Sequence, residues 1–271
     1  MDKKISIRWA ALSQSGTKNP ENEDSWIAFS SDAKASTRLA ESGEMLLELS
    51  DLVFAVSDGM GGGNAGEIAS SLILEQLAER IPETFRAAAA GFFPDSISHL
   101  ADVIRRVNEE INRIGEESEN NKGMSATLAL SWFSPENMYL ANIGDSRVYR
   151  CRAEKIEQVS KDHTAAWASW KRGDIREVEY RSHPRRSALY EVMGGGHENV
   201  FPFFAAIPFM EGDRFLLCSD GLIDGVWERH IGESLMDSAT PEECCSALLK
   251  RAVANSGIDD TTLIVIHIGA I

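Results

Sequence analysis

Four places in this sequence put an aspartate at the edge of an apolar run, beside glycine or another small residue. Asp58 follows LVFAVS and precedes Gly59. Asp145 follows MYLANIG, and Asp220 follows RFLLCS and precedes Gly221. Asp259 and Asp260 stand just before TTLIVIHI. The runs read as β-strands, so each carboxylate sits where a strand ends or begins. Strand ends along one sheet edge lie close in space however distant they are in sequence. Carboxylates gathered there repel one another unless a cation neutralises them. An all-oxygen donor set suits Mg²⁺ or Mn²⁺ rather than Zn²⁺. Taken singly, an Asp-Gly pair after a strand is also an ordinary turn; the repetition is what points to a site.

The stretch VSDGMGGGNAGEIAS, Val56 to Ser70, offers a rival chemistry. Gly61, Gly63 and Gly66 spell G-x-G-x-x-G between an apolar run and a helical pattern, the setting of a dinucleotide-binding turn. That turn needs an acidic residue about 20 positions on, at the end of a second parallel strand. The sequence there is ERIPETFRAAAAG, where Glu83 follows a proline and no strand precedes it. The dinucleotide reading fails. A P-loop fails as well, since no G-K-[ST] follows.

The 271 residues carry 42 acidic and 27 basic side chains, a formal charge of −15. That balance argues against a nucleic-acid partner, which needs a basic face. Four cysteines, Cys151, Cys218, Cys244 and Cys245, form no C-x-x-C, so neither a zinc site nor a redox pair is expected. Reduced thiols fit a cytoplasmic location. The N-terminal MDKKISIRWAALSQS lacks a long apolar stretch, and no apolar run approaches a membrane span, so neither a leader nor a membrane segment is expected.

The elements that must position the aspartates are legible as periodicities. Strands are expected at Ile5–Leu12, Ser25–Ser30, the run before Asp58, Ala126–Phe133, Met138–Ile143, Arg147–Cys151, Arg214–Ser219 and Thr261–Ile268. The middle three are closely spaced, like an antiparallel meander. Helices are expected over Ala65–Arg80, Ser96–Ile114 and about Pro241–Ala254. Asp32–Leu49 is only weakly patterned. No repeat or Gly/Ser linker divides the chain, and the pattern implies one α+β domain over residues 1–271.

Eight motifs, in order, give the chain a family resemblance: NEDS (Asn22–Ser25), VSDGMGGGNAGEIAS, GMSAT (Gly123–Thr127), ANIGDSRVYR (Ala141–Arg150), KDHT (Lys161–Thr164), HPRRSAL (His183–Leu189), LLCSDGL (Leu216–Leu222) and DDTTLIVI (Asp259–Ile266). The chain resembles the metal-dependent protein serine/threonine phosphatases of type 2C, in particular their compact bacterial members. The resemblance implies a four-layer α/β/β/α sandwich: two stacked antiparallel sheets with a helical pair on each outer face. It implies hydrolysis of phosphoserine and phosphothreonine in proteins by a water activated between two Mn²⁺ or Mg²⁺ ions, in opposition to a bacterial kinase. Asp58 would bridge the two ions, with the Gly59 carbonyl on one and Asp220 and Asp259 on the other. Glu23 and Asp24 would act mostly through water, and Asp145 would help hold a third ion. The expected partners are phosphorylated proteins, and the expected state is a monomer.

Three positions depart from the family pattern. The arginine that binds substrate phosphate is replaced by Asn19, and Lys18 is the candidate substitute, as a point charge without a fork. Met60 occupies the place of a histidine proposed elsewhere as general acid, which leaves water as the proton source; His163 and His183 read as loop residues with structural roles. The usual Asp-Asn pair is Asp259-Asp260, with the ligand assigned to Asp259 by register with Thr262. A segment around 163–190 matches the family's flap. Its basic stretch Lys171–Arg186 reads either as a surface for acidic substrate or as an internally paired loop. The missing arginine also admits an alternative function, a catalytically weak phosphoprotein-binding or sensor domain on the same fold.

Overall fold

The computed structural model describes residues 4–18, 21–32, 35–48, 50–89, 96–135 and 137–270, with the backbone alone over 83–89. Position 19, where the family arginine is replaced, lies outside the described residues.

Two antiparallel sheets carry the fold. One is built from β1 (Ile5–Gln14), β4 (Ser42–Leu46), β9 (Arg147–Arg152), β10 (Lys155–Gln158), β13 (Arg214–Cys218) and β14 (Thr261–Ala270), in the order β10-β9-β13-β14-β1-β4. The other has β5 (Asp51–Met60) at its centre. It joins β2 (Asp24–Ser31), β3 (Ser36–Arg38), β6 (Ser125–Ala126), β7 (Leu128–Phe133), β8 (Met138–Ile143), β11 (Met193–Gly194) and β12 (Phe203–Ile207). The period-2 alternation of β5 decides the layering. Leu52, Phe54 and Val56 point between the sheets, against Ile7, Trp9, Phe215, Ile264 and Ile266. Val53 and Ala55 point outward, under α1 (Ala65–Ala89) and α2 (Ser96–Glu117).

Each sheet is covered by helices because its outer face is also apolar. In α2, Leu100, Val103, Ile104, Val107 and Ile111 recur at helical spacing and are buried on the second sheet. On the far side, α5 (Asp220–Gly225), α6 (Glu228–Asp237) and α7 (Pro241–Asn255) cover Tyr149, Leu216, Leu263 and Val265. Thr240 caps α7, its hydroxyl accepting from the Glu243 amide, with Pro241 at the first turn. Three separate apolar layers therefore stack as helix, sheet, sheet, helix. The expected α+β sandwich is the observed one.

The elements that the pattern missed are short or half-exposed. Asp32–Leu49 contains the edge strands β3 and β4, whose residues are mostly exposed or half-buried. KIEQ in β10 holds one apolar residue, and FFAAI in β12 does not alternate. DGLIDG carries two glycines yet forms α5, so Asp220 opens a helix rather than a turn. The expected strand Ala126–Phe133 breaks at Thr127. There the ladder stays in register, but the Thr127 hydroxyl accepts from the Asp58 amide at 3.0 Å in place of a main-chain carbonyl. Two further helices, α3 (Ala165–Arg172) and α4 (Glu177–Arg181), lie in the flap segment.

The glycines of VSDGMGGGNAGEIAS divide into two kinds. A Cβ on Gly59 would lie 2.1 Å from the Gly66 carbonyl oxygen and 2.6 Å from that of Glu23. Gly59 thus lets β5 pass directly over the first turn of α1. Gly62 meets nothing within 4 Å, and Gly63 has open space but a φ of +62°. Gly59→Ala is therefore expected to cost more than about 2 kcal/mol, since both opposing atoms are main chain and cannot swing aside. Gly62→Ala is expected to stay within about 0.5 kcal/mol of the parent. Urea melts of the two variants check this; equal midpoints would refute the close-approach argument.

Candidate metal centre

All the strand-end aspartates come to one edge of the sandwich. Asp24 opens β2 and is the cross-strand partner of Asp58 near the end of β5. The Gly59 amide donates to the Glu23 carbonyl at 3.1 Å, which fixes NEDS against VSDGMGGGNAGEIAS. The Glu23 carboxylate lies over the start of α1, where a Cβ on Gly66 would be 2.3 Å from Oε1. A carboxylate at a helix N-terminus is favourably placed.

Asp220 arrives from the other sheet through Ser219. The Ser219 hydroxyl donates to Asp24 Oδ2 at 2.6 Å and accepts from the Thr262 amide at 3.0 Å. One serine thus ties β2, β13 and β14 together. Asp145 sits in the β8–β9 turn after Gly144, whose φ is +88°. The next residue, Ser146, shares a 2.6 Å hydrogen bond with the Thr127 hydroxyl. Because Thr127 also receives the Asp58 amide, the Asp145 turn is docked onto the strand that carries Asp58.

The Asp259-Asp260 pair separates cleanly. Asp260 is buried, and its two oxygens accept the amides of Gly16 at 2.8 Å and Glu23 at 2.7 Å. It stitches the β1–β2 loop to the start of β14. Asp259 instead faces the cleft, where its Oδ2 accepts from Lys18 Nζ at 3.0 Å. That contact, with the charges of Asp220 and Asp58 nearby, holds the Lys18 ammonium above the usual lysine range.

Crowding shows in the acidities. Burial, and then the charges of Asp24, Asp220, Asp145 and Asp259, push the Asp58 carboxyl well above the carboxylate range. Burial pushes Asp24 up to about 7, with Asp220 and Asp260 adding to it and the Ser219 hydrogen bond opposing. Asp220 also rises to about 7, through burial and the charges of Asp224 and Asp259. Asp145 is raised by burial and by Asp220. Among the described residues no three of these groups close around one point as a ready-made cage. The donor set is all oxygen, few in number per point and strongly anionic. It fits Mg²⁺ or Mn²⁺, which keep several waters, better than a dehydrated all-protein site.

The acidities set a pH dependence for the chelator-treated protein. In the unfolded chain these carboxyls titrate near ~4. In the fold Asp24 and Asp220 hold protons up to about 7, so the native state binds more protons across that window. Stability is then greatest at the acid end and is lost as pH rises through the folded values. Melting temperature in EDTA is expected to fall between about pH 5 and 8, and Mn²⁺ is expected to flatten the slope. A melting temperature that climbs with pH in EDTA would contradict the crowding.

The structure adds residues that the pattern did not single out. Thr127 and Ser219 are site-building hydroxyls, both inside quoted motifs. Arg186 enters from the flap: it bonds Asp224, and its Nη2 lies 3.9 Å from Asp220 Oδ2. The two histidines of the loop motifs are structural. Burial pushes His163 down to about 4. Its Nδ1 accepts from the Gly144 amide at 3.2 Å, which braces the Asp145 turn. His183 Nδ1 accepts from the Arg185 amide at 3.1 Å within the flap. Arg172–Asp174, Arg176–Glu179 and Arg181–Glu177 pair within the flap's basic stretch, while Lys171 reaches out to Glu228 of α6.

The sequence profile described as Protein phosphatase 2C matches residues 46–254, and the chain belongs to that family. Among individual proteins, the chain is 30% identical over 216 residues to the serine/threonine phosphatase stp of Listeria innocua, covering 79% of this chain and 84% of that one. It is 34% identical over 261 residues to the serine/threonine protein phosphatase PstP of Mycobacterium tuberculosis, covering 96% of this chain but 44% of that longer protein. A crystal structure of the Mycobacterium tuberculosis phosphatase PstP/Ppp superposes with a TM-score of 0.78 at 30% identity, covering 97% of this chain and 98% of that one. The catalytic domain of PstP in complex with two manganese ions gives a TM-score of 0.75 at 28% identity, covering 98% and 99%. Among the described residues no helix is long and apolar enough to cross a membrane.

Proposed function

We propose that this chain removes phosphate from phosphoserine and phosphothreonine in proteins, with two Mn²⁺ or Mg²⁺ ions at the core of its site and a third at Asp145. The observation that carries this reading is the convergence of Asp58 in β5, Asp145 in the β8–β9 turn, Asp220 at the start of α5 and Asp259 before β14 onto one sandwich edge, where the charges of the last three reach Asp58. Asp58 and the Gly59 carbonyl would hold the core ions with Asp220 and Asp259. Glu23 and Asp24 would act through water. When bound, the ions supply Lewis acidity, activating a water and offsetting phosphoryl charge.

The remaining work falls to this chain's own residues. Asp260 is occupied by two amides, which supports Asp259 as the member of the pair that binds metal. Among the described residues Lys18, from the β1–β2 loop, pairs with Asp259, and Arg186, from the flap, approaches Asp220. Lys18 offers a point charge to a substrate phosphate, and Arg186 a planar fork. Met60 has no proton to give, and Nδ1 of both His163 and His183 is occupied by a main-chain amide, which favours water as the proton source for the leaving oxygen. The whole of residues 1–271 acts as one cytoplasmic, monomeric catalytic unit that opposes a protein kinase.

The test is turnover against binding. A phosphothreonine peptide is expected to lose its phosphate in Mn²⁺ and to persist in EDTA. Tight Mn²⁺-dependent peptide binding without phosphate release would instead establish the phosphoprotein-binding alternative.

A further inference from the structure

The protein is strongly acidic, yet one groove on its surface is not. It encloses about 860 Å³ between the exposed edges of the two sheets. β10 closes one side of the first sheet and β12 closes one side of the second, so each has an edge without a strand partner among the described residues. Helix α3 of the flap forms the third wall through Trp167 and Lys171. Arg150, Arg152, Lys155, Lys161 and Lys171 line the groove, against the carboxylates of Glu157 and Glu228.

The pairing within the groove leaves positive charge unspent. Arg150 is matched to Glu157 at 2.8 Å and Lys171 to Glu228 at 3.4 Å. Arg152 is held by Asp213, whose side chain is fully buried beneath it, at 2.6 Å. Among the described residues no carboxylate pairs with Lys155 or Lys161. The Lys161 ammonium lies 4.5 Å from the centre of the Phe203 ring, on the β12 wall. The groove is also built rather than incidental. Trp167 donates its indole N–H to Gln158 Oε1 at 2.9 Å, closing α3 onto β10.

The groove is coupled to the metal centre by one short loop. Beyond β10 the chain runs through Ser160–His163. The Lys161 amide donates to Asn142 Oδ1 at 3.2 Å, and the His163 amide to the Gly144 carbonyl at 2.9 Å, beside Asp145. We propose that this groove docks an acidic polypeptide segment of the phosphoprotein substrate, away from the phosphate that is removed. The proposal rests on the phosphatase reading for its purpose, and on charge complementarity for its occupant. Lys155 and Lys161 would attract the carboxylates, and the open strand edges would take an extended main chain. A nucleic-acid strand or a lipid surface fits less well, because neither can pair with a strand edge.

The experiment measures binding and chemistry separately, on the full chain. A fluorescent, unphosphorylated peptide of ~12 residues rich in Asp and Glu is titrated by anisotropy against the parent, a Lys155→Glu/Lys161→Glu variant and a Lys155→Gln/Lys161→Gln variant. Affinity is expected to fall about tenfold or more in the glutamate variant, less in the glutamine variant, and to weaken with salt in the parent. Hydrolysis of p-nitrophenyl phosphate is expected to stay unchanged in both. Equal peptide affinity in parent and variants would overturn the proposal. So would a stronger lysine-dependent affinity for duplex DNA or for phosphatidylserine vesicles. If the phosphatase reading itself were wrong, p-nitrophenyl phosphate would not turn over in any form, whatever the peptide did.

Discussion

Asp58→Asn is expected to lower Mn²⁺-dependent hydrolysis of p-nitrophenyl phosphate by about 10³-fold or more. The side chain keeps its shape and loses its charge, so the change tests the carboxylate and little else. Asp58 is the group on which the cluster converges, with the charges of Asp24, Asp220, Asp145 and Asp259 all acting on it. Its place is set by main-chain bonds that asparagine keeps: the amide to Thr127 Oγ1 at 3.0 Å and the carbonyl accepting from the Thr127 amide at 2.9 Å. A second readout distinguishes loss of chemistry from loss of fold. Burial and the neighbouring carboxylates disfavour the ionised form of Asp58 without metal, and asparagine is neutral throughout, so in EDTA the variant is expected to melt no lower than the parent. Activity equal to the parent at the same Mn²⁺ concentration would sink the role given to Asp58, and a much lower melting temperature in EDTA would sink the crowding.

The chemistry was more legible in the sequence than the framework that delivers it. Asp58, Asp145, Asp220 and Asp259 announce themselves because each interrupts a strongly apolar run at its end, a local signal. The three long helices and the central strands were readable for the same reason: each repeats one period over many residues. β10, β12, β3 and β4 were not, because an edge strand need bury only one or two side chains and leaves little pattern. α5 was hidden by its two glycines; what holds it is packing of Leu222 and Ile223 against α7 and the first sheet rather than propensity. Gly59 shows a subtler limit. The resemblance gives it a role through its carbonyl alone, whereas the structure shows that its lack of a Cβ admits the backbone of Gly66, a neighbour seven residues on that only the fold brings back. Arg186 could not be found by spacing, since its partners Asp220 and Asp224 lie on another element.

Breaking the Arg147–Asp162 pair is expected to cost about 3–5 kcal/mol, the largest stability effect of any single polar change in this molecule. Both side chains are almost wholly out of solvent, at 2% and 0% exposure. Arg147 Nε donates to both Asp162 oxygens, at 3.0 and 2.9 Å, and Nη2 donates to Oδ2 at 2.6 Å. The remaining donors reach Tyr149 and Tyr180, and Gln158 donates to Asp162 at 2.6 Å. This network joins β9 to the flap, because Tyr180 belongs to α4 and stacks on Trp170 of α3 at 5.0 Å. Asp162→Ala would leave the guanidinium charged, buried and unpaired, which is the costly outcome. Arg147→Met combined with Asp162→Leu removes both charges together and is expected to recover much of the loss. The Tyr180 hydroxyl would still lose its partner in the double variant, so the flap should remain looser than in the parent. Urea melts of the two single variants and the double one give the coupling, and limited proteolysis between residues 163 and 190 reports the flap. If Asp162→Ala stayed within about 1 kcal/mol of the parent, the pair would be incidental to the flap's position, and the anchoring of α3 and α4 would have to come from the Arg181 bonds to the Ile223 and Val226 carbonyls instead.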